Sequence, residues 1–166
     1  MESFIYSNKN VLSPKLCKSI IKLFEAANGK TKGGFVGNDK NLVVDESVKE
    51  SIDYNFTKRP YNEKGIPIYQ HPSWIMSRNK VYMSLKTILL EEKEKYIKKY
   101  YGCGSLNPLK LDDVNIQKYK PNGGFKVWHC ERGNIINSSR VLAWMIYLND
   151  VTDKGETEFY HQKHKE

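Results

Sequence analysis

The chain has 166 residues, of which 39% are hydrophobic and 28% are charged, and its formal net charge is +8 at pH 7. This length and composition exclude a disordered chain and are sufficient for one domain with a hydrophobic core. Since no long apolar run and no apolar N-terminal stretch occur, we expect neither a membrane span nor a signal peptide. Three cysteines without a CxxC motif favour reduced thiols in a cytoplasmic protein over a disulfide framework or a zinc ribbon.

The first half of the sequence predicts helices. Ser13 is a suitable N-cap and Pro14 suits the first helical position; apolar residues then recur at helical spacing until Gly29 can close the helix. The Gly/Lys-rich residues 29–40 predict a loop, and their glycines do not match a phosphate-binding pattern. A second, longer amphipathic helix is predicted within residues 74–101.

The second half of the sequence predicts strands. Residues 114–120 alternate in polarity and end at a PNGG turn, and residues 140–151 form an apolar run of strand length. Such a run predicts a strand that is covered on both faces. Residues 155–159 predict another strand, whereas the seven residues after them are expected to fray. Helices followed by strands indicate an α+β fold in which helices pack on a β sandwich or barrel.

Between these predicted strands, the stretch VWHCERG contains His129 and Glu131, two residues apart. In a strand, such residues point to the same face, so an imidazole and a carboxylate could bind one metal ion. Two His and one carboxylate form the facial triad of non-haem Fe(II) oxygenases. The alternative is a surface His beside a Glu, and the short motif alone favours that alternative.

The sequence around this motif favours the metal site instead. The segments IQKYKPNGGFKVWHCE, RVLAWMIYLNDV and KGETEF resemble the 2-oxoglutarate- and Fe(II)-dependent oxygenases, specifically their prolyl 4-hydroxylase-like branch. That family shows, in this order, a strand Tyr, a Gly-Phe turn, His-x-Asp or His-x-Glu, an Arg-led apolar strand ending in Tyr-Leu-Asn, and Gly-Gly-Glu-Thr. The resemblance implies N-terminal helices that pack on a double-stranded β-helix, or jelly roll.

The resemblance also implies roles for individual residues. His129 and Glu131 would be Fe(II) ligands, with Glu131 at a position where the family more often has Asp. Tyr147 would hydrogen-bond the distal carboxylate of the cosubstrate 2-oxoglutarate, with a core Tyr as an equal alternative, and Tyr119 would line the same pocket. Arg140 matches an Arg near the substrate groove, although a plain surface Arg is the preferred interpretation there. Ascorbate is a candidate reductant.

Three neighbouring positions are interpreted without a catalytic role. Cys130 and Trp128 have the opposite strand parity to His129, so we predict that they point away from the metal and are packed. Lys154 replaces the first Gly of the Gly-Gly-Glu-Thr pattern, which alters the turn but not the chemistry.

The family's remaining site residues are a second His on a later strand and a nearby Lys or Arg that pairs with 2-oxoglutarate. Neither stands in its usual place after Phe159. We therefore expect a truncated oxygenase that is inactive or weakly active as given. A tail His, His161 or His164, or a second chain would have to complete the metal site.

The expected organisation is a single incomplete domain over residues 1–166. Residues 1–110 would form a mainly helical support region and residues 111–166 the first strands of the jelly roll. Without later neighbours, the apolar strand at 141–148 would leave an exposed apolar edge. We therefore predict a homo-oligomer joined through the strand half.

Two other functions are retained as alternatives. The first is a degenerate jelly roll without metal chemistry, which binds a peptide or another subunit. The second is nucleic-acid binding through the +8 charge, which is disfavoured because the lysines are scattered and those in residues 93–102 alternate with Glu on a helix. The substrate of the proposed enzyme, a peptide or a small molecule, is not identified by the sequence.

Overall fold

The structure of the chain is a computed structural model that describes residues 3–36, 43–106, 110–133, 135 and 138–166. Its helices are α1 (Pro14–Ala26) and α2 (Pro72–Lys99), and a 3-10 helix (Tyr101–Leu106) follows them. Its strands are β1 (Thr31–Lys32), β2 (Phe35–Val36), β3 (Val43–Val44), β4 (Ile52–Asn55), β5 (Asn115–Lys118), β6 (Glu158–Phe159) and β7 (His164–Lys165). The chain divides into two compact units, Met1–Thr31 with Asp53–Ile116 and Lys32–Ile52 with Gln117–Glu166.

Helix α1 begins where the sequence predicts. The Ser13 hydroxyl accepts a hydrogen bond from the Leu16 backbone N–H at 3.2 Å, and Pro14 occupies the first helical turn. The apolar face of the helix is buried through Ile20, Leu23 and Phe24. Local capping and periodicity therefore suffice to define this element.

Gly29 lies beyond the end of α1 instead of closing it, contrary to the prediction. The Lys30 ammonium donates a hydrogen bond to the carbonyl oxygen of Phe24 at 3.2 Å, so a side chain satisfies the helix C-terminus. Gly29 has a φ of +80°, and a Cβ there would lie 2.7 Å from Pro60 Cβ and 2.9 Å from Ile68 Cδ1. The position therefore requires glycine both for its conformation and for the close approach.

Helix α2 confirms the predicted long amphipathic helix, and Leu85 and Leu89 on its apolar face are buried. Near its N-terminus, Trp74 Nε1 donates to the carbonyl oxygen of Leu23 at 2.9 Å, which ties α2 to α1. Phe56 is fully enclosed, with 0% of its surface exposed. The buried apolar side chains of the described residues all belong to this first unit.

The segment before α1 is held by one buried carboxylate on α2. Glu92 accepts hydrogen bonds from Asn8 Nδ2 at 2.8 Å, Lys95 Nζ at 2.6 Å and the Tyr6 hydroxyl at 3.2 Å. Burial acts to raise the pKa of Glu92, but the three donors outweigh burial and hold the pKa below its usual value. The N-terminal segment is thus attached to α2 by charge-assisted hydrogen bonds.

The strands form small sheets. One sheet has the order β1–β4–β5, whereas β2 pairs with β3 and β6 pairs with β7 in antiparallel two-stranded sheets. Strand β5 lies within the predicted residues 114–120, and the PNGG turn after it is closed by the Gly123 N–H, which donates to the Lys120 carbonyl oxygen at 2.8 Å. The predicted loop at residues 29–40 is wrong in part, since β1 and β2 lie within it.

Residues 140–151 form neither a helix nor a strand, so the predicted strand covered on both faces is wrong. A strand needs a neighbour for its backbone N–H and C=O groups, and the described residues provide no paired strand for this run. Its large apolar side chains are consequently exposed: 46% for Val141, 38% for Trp144, 55% for Met145 and 51% for Tyr147.

The seven residues after Phe159 form the second half of a hairpin, so the predicted fraying is also wrong. Thr157 and Glu166 exchange both backbone hydrogen bonds, at 2.8 and 3.0 Å. Lys165 Nζ pairs with Glu158 Oε1 at 2.5 Å. Backbone pairing and a cross-strand ion pair together stabilise this C-terminal hairpin.

The α+β class is confirmed, because helices and antiparallel sheets occur together in the described residues. The same residues form no closed barrel. No helix in the described ranges is long and apolar enough to cross a membrane.

Candidate functional site

The segment that carries His129 is anchored to a neighbouring segment of the second unit. Phe125 forms an antiparallel bridge with Lys49. One residue later, the Lys126 N–H donates to the carbonyl oxygen of Val48 at 2.7 Å. These contacts fix the backbone directly before the candidate metal ligands.

His129 is oriented by two contacts. Its imidazole stacks on the Phe125 ring, with the ring centroids 3.7 Å apart and the planes at 12°. Its Nδ1 lies 3.2 Å from the carbonyl oxygen of Val127. Because a carbonyl oxygen can only accept, Nδ1 carries the proton in this hydrogen bond. In the tautomer that this hydrogen bond favours, Nε2 is the nitrogen with a free lone pair, which is the atom that can bind a metal ion.

Glu131 faces His129 with one carboxylate oxygen and Arg140 with the other. Its Oε1 lies 3.7 Å from His129 Nε2, and its Oε2 lies 3.5 Å from Arg140 Nη1. The three side chains are 41–52% exposed. Solvent therefore screens the charges of Glu131 and Arg140, and the three side chains can adjust without disturbing a core.

A cavity of about 350 Å³ opens beside Glu131. Its lining includes Arg132 and Arg140, together with Cys130. Arg132 is held in place because its Nε donates to the carbonyl oxygen of Ser138 at 3.0 Å. Sequence reasoning misses Arg132, since the motif ends at Glu131 and the only signal is a basic residue directly after it.

Two parity predictions near the site are wrong. Cys130 lines the same cavity as Glu131 and is exposed, whereas a position away from the metal side was predicted. Trp128, predicted to be packed, is 63% exposed. Both predictions assume that residues 127–131 form a strand, in which neighbouring side chains alternate. These residues form no strand, so the alternation does not apply.

The two tyrosines predicted to bind 2-oxoglutarate are engaged by other residues. The Tyr147 hydroxyl lies 2.6 Å from Thr157 Oγ1 and donates to the Glu166 carbonyl oxygen at 3.4 Å. The Tyr119 hydroxyl donates to Gln117 Oε1 at 2.9 Å. Tyr147 is also 51% exposed, so it is not the core Tyr of the alternative interpretation, although its hydroxyl is satisfied.

The tail histidines have partners within the C-terminal hairpin. His164 Nε2 lies 3.0 Å from Glu166 Oε2, and the His161 ring contacts the Tyr160 ring at a centroid distance of 5.3 Å. Across the described part of the chain, no group of three His, Cys, Asp or Glu side chains could hold a metal ion. A third ligand for the His129–Glu131 pair is therefore not identified in that part.

The His129–Glu131 pair itself fits two adjacent positions on a metal ion. Ligand atoms about 2.0–2.2 Å from an ion lie roughly 3 Å apart when they occupy adjacent positions. The observed separation of 3.7 Å closes by a small rotation of either exposed side chain. Arg140 competes with the ion for the Glu131 carboxylate, so the ion and the guanidinium would have to share its two oxygens.

No family model, no curated protein and no solved structure matches the chain. The candidate site is therefore supported by its sequence motifs and by the geometry of its residues.

Proposed function

We propose that the chain carries part of the active site of a 2-oxoglutarate- and Fe(II)-dependent oxygenase, with His129 and Glu131 as two of the protein ligands. The observation that carries this proposal is the position of His129 Nε2, which is 3.7 Å from the Glu131 carboxylate. When bound, Fe(II) together with 2-oxoglutarate and O2 supplies the oxidising chemistry that hydroxylates a C–H bond of a peptide or small molecule. Ascorbate would serve as the reductant.

His129 contributes a ligand that is oriented before the metal binds. The Val127 carbonyl selects the tautomer with a free Nε2, and the Phe125 ring fixes the plane of the imidazole. An imidazole that is already oriented loses less freedom on binding an ion, which favours affinity.

The turn before β6 supports the resemblance to the oxygenase family. Lys154 has a φ of +58° and Gly155 a φ of +89°, both in the left-handed region. Lys154 stands at the position of the first Gly in the Gly-Gly-Glu-Thr pattern. The backbone there adopts a conformation for which glycine is the suited residue.

Arg132 and Arg140 are the candidate groups for binding 2-oxoglutarate. This cosubstrate is a dianion, and guanidinium groups bind carboxylates through paired hydrogen bonds. Both arginines line the cavity of about 350 Å³ beside Glu131. Tyr147 and Tyr119 would contribute only after exchanging their present partners for the cosubstrate.

The proposal also requires a third protein ligand. In a jelly-roll oxygenase it would come from a further strand, and for this chain His161, His164 or a second chain are the other candidates. Because no three-ligand group is present in the described residues, we expect weak or no activity from the polypeptide alone.

A titration with Co(II), a redox-stable substitute for Fe(II), tests the proposal. The matched control is His71→Ala, since His71 caps α2 in the first unit and is not a candidate ligand. We expect a visible-absorption change with the wild type and with His71→Ala, and none with His129→Ala. An equal change in all three proteins would contradict the proposal.

The exposed apolar run at residues 141–148 favours a second candidate function, assembly with another copy of the chain. The second unit has no buried apolar side chain among the described residues, yet Val141 and Met145 are 46% and 55% exposed. A unit without its own core needs a partner surface, and a second copy offers the same surface through two-fold symmetry. Such a copy could act without metal chemistry or could supply the third ligand.

A further inference from the structure

A second cavity, of about 490 Å³, lies beside the C-terminal hairpin in the second unit. Its lining includes the aromatic residues Trp128, Phe159 and Tyr160, the histidines His161 and His164, and the basic residues Lys163 and Lys165. Its volume is in the range of small-molecule sites, roughly 300–1,000 Å³. We name this feature the aromatic–basic cavity; His129 and Glu131 do not line it, whereas the candidate third ligands His161 and His164 do.

Two rings of this cavity are largely exposed. Trp128 is 63% exposed and Tyr160 is 68% exposed. Their centroids lie 5.4 Å apart with the planes at 62°, and the Tyr160 ring also contacts the His161 ring, yet more than half of each side chain stays exposed. The two rings lie side by side in one cavity, so together they present a contiguous aromatic surface to a ligand.

The charge of the aromatic–basic cavity is positive. Glu158 is the one carboxylate in its lining, and Lys165 pairs with it at 2.5 Å. Lys163 lies in the hairpin turn, and within the described residues its ammonium forms no ion pair. One cation next to open aromatic faces is thus left for a ligand, in a chain whose net charge is +8.

We propose that the aromatic–basic cavity binds single-stranded nucleic acid, with a base stacked on Trp128 or Tyr160 and a phosphate at Lys163. Proteins that bind single strands combine aromatic rings for base stacking with cations along the backbone. In a duplex the base faces are already stacked, which excludes this contact. An acidic peptide would use the lysines but would leave the open ring faces without a partner.

The fold brings together basic residues that are far apart from Trp128 in the sequence. In the sequence, the lysines are scattered and disfavour a nucleic-acid site. The C-terminal hairpin, however, brings Lys163 and Lys165 next to Trp128, which precedes them by more than thirty residues. Nucleic-acid binding at the aromatic–basic cavity does not require Fe(II) binding at His129 and Glu131.

The test is a fluorescence-anisotropy titration of a labelled twelve-nucleotide oligothymidylate with the full chain at several salt concentrations. We expect Trp128→Ala to weaken binding roughly 5- to 100-fold, in line with the loss of one stacked base. Tyr69→Ala, which removes a similarly exposed aromatic ring of the first unit, should leave affinity unchanged. Lys163→Gln should reduce the slope of log K against log salt concentration by about 0.7.

A conservative variant, a check of folding and two competitors complete the test. Trp128→Phe retains a ring and should retain most of the affinity, and circular dichroism of each variant checks its fold. Equal weakening by Trp128→Ala and Tyr69→Ala would overturn the proposal. So would competition by thymidine monophosphate or polyglutamate as effective as that of unlabelled oligothymidylate at equal charge concentration.

Discussion

His129 Nε2 lies 3.7 Å from Glu131 Oε1 in a segment that forms neither a helix nor a strand. The pair is positioned by the Phe125–Lys49 bridge before it and by the Arg140 guanidinium beside it. Side-chain stacking and a backbone hydrogen bond can therefore bring two candidate ligands together without strand alternation. Single substitutions at these contacts should change the affinity of the site for a metal ion or for 2-oxoglutarate.

Arg140→Gln should have opposite effects on the affinity for the metal ion and on the affinity for 2-oxoglutarate. Removing the guanidinium 3.5 Å from Glu131 frees one carboxylate oxygen and removes a repulsive charge, so Co(II) affinity should rise roughly two- to tenfold. Affinity for 2-oxoglutarate should fall, because one of the two arginines of the cavity is lost. Arg132→Gln is the control: it should weaken 2-oxoglutarate binding only. Isothermal titration calorimetry measures both affinities, and weaker metal binding by Arg140→Gln would contradict this account.

Glu92→Gln should destabilise the first unit. The substitution removes the charge that strengthens the bonds from Asn8, Tyr6 and Lys95, and the expected loss in free energy of unfolding is about 1–2 kcal/mol at pH 7. Because the folded-state pKa of Glu92 lies below its ordinary value of 4.5, its stabilisation is present above that pH. The stabilisation is lost as the pH falls through the folded-state pKa.

Urea denaturation at a series of pH values measures this effect. The gap in unfolding free energy between wild type and Glu92→Gln should narrow below pH 4.5, since protonated Glu92 resembles glutamine. Glu94→Gln is the control, because the side chain of Glu94 is 66% exposed and pairs only with Lys93 among the ion pairs of the described residues. A gap that stays constant with pH would argue against the role given to the Glu92 charge.

Gly29→Ala should cost more stability than Gly65→Ala. Both glycines have positive φ, +80° and +71°, so either substitution introduces backbone strain of about 1–2 kcal/mol. Only at position 29 would the new Cβ also lie 2.7 Å from Pro60 Cβ, whereas nothing lies within 4 Å at position 65. Thermal unfolding of the two variants provides the comparison, and equal losses would show that the close approach has no effect.

Met145→Glu should dissociate a homo-oligomer formed through the exposed apolar run. A charge placed in an apolar interface is left unpaired on association, and a specific interface of this kind buries about 1,200–2,000 Å². The control is Met83→Glu on α2, since Met83 and Met145 are similarly exposed, at 58% and 55%. Multi-angle light scattering should show an oligomer for the wild type and the control and a monomer for Met145→Glu. A monomeric wild type would contradict the assembly proposal.

The elements that the sequence predicts well are those defined by local signals. The Ser13 cap, the apolar spacing of α2 and the turn after β5 each depend on residues within one or two turns of chain. Capping, periodicity and turn chemistry act over that distance. The α+β class follows from the same signals.

Features that depend on distant partners could not be predicted in this way. An apolar run such as residues 140–151 has the composition of a strand, but strand formation needs a neighbour that composition does not supply. The pairing of Thr157 with Glu166 depends on the path of the hairpin between them. Likewise, Arg132 joins the candidate site only because its Nε is held by the Ser138 carbonyl.

An anaerobic titration with Fe(II) and 2-oxoglutarate tests the central claim most directly. Their complex on a protein gives a visible charge-transfer absorption band, which reports metal and cosubstrate binding at one site. The account predicts a band with the wild type that is lost in both His129→Ala and Glu131→Ala and is retained in His71→Ala. Absence of the band from the wild type at saturating Fe(II) and 2-oxoglutarate, or its persistence in His129→Ala, would contradict the account.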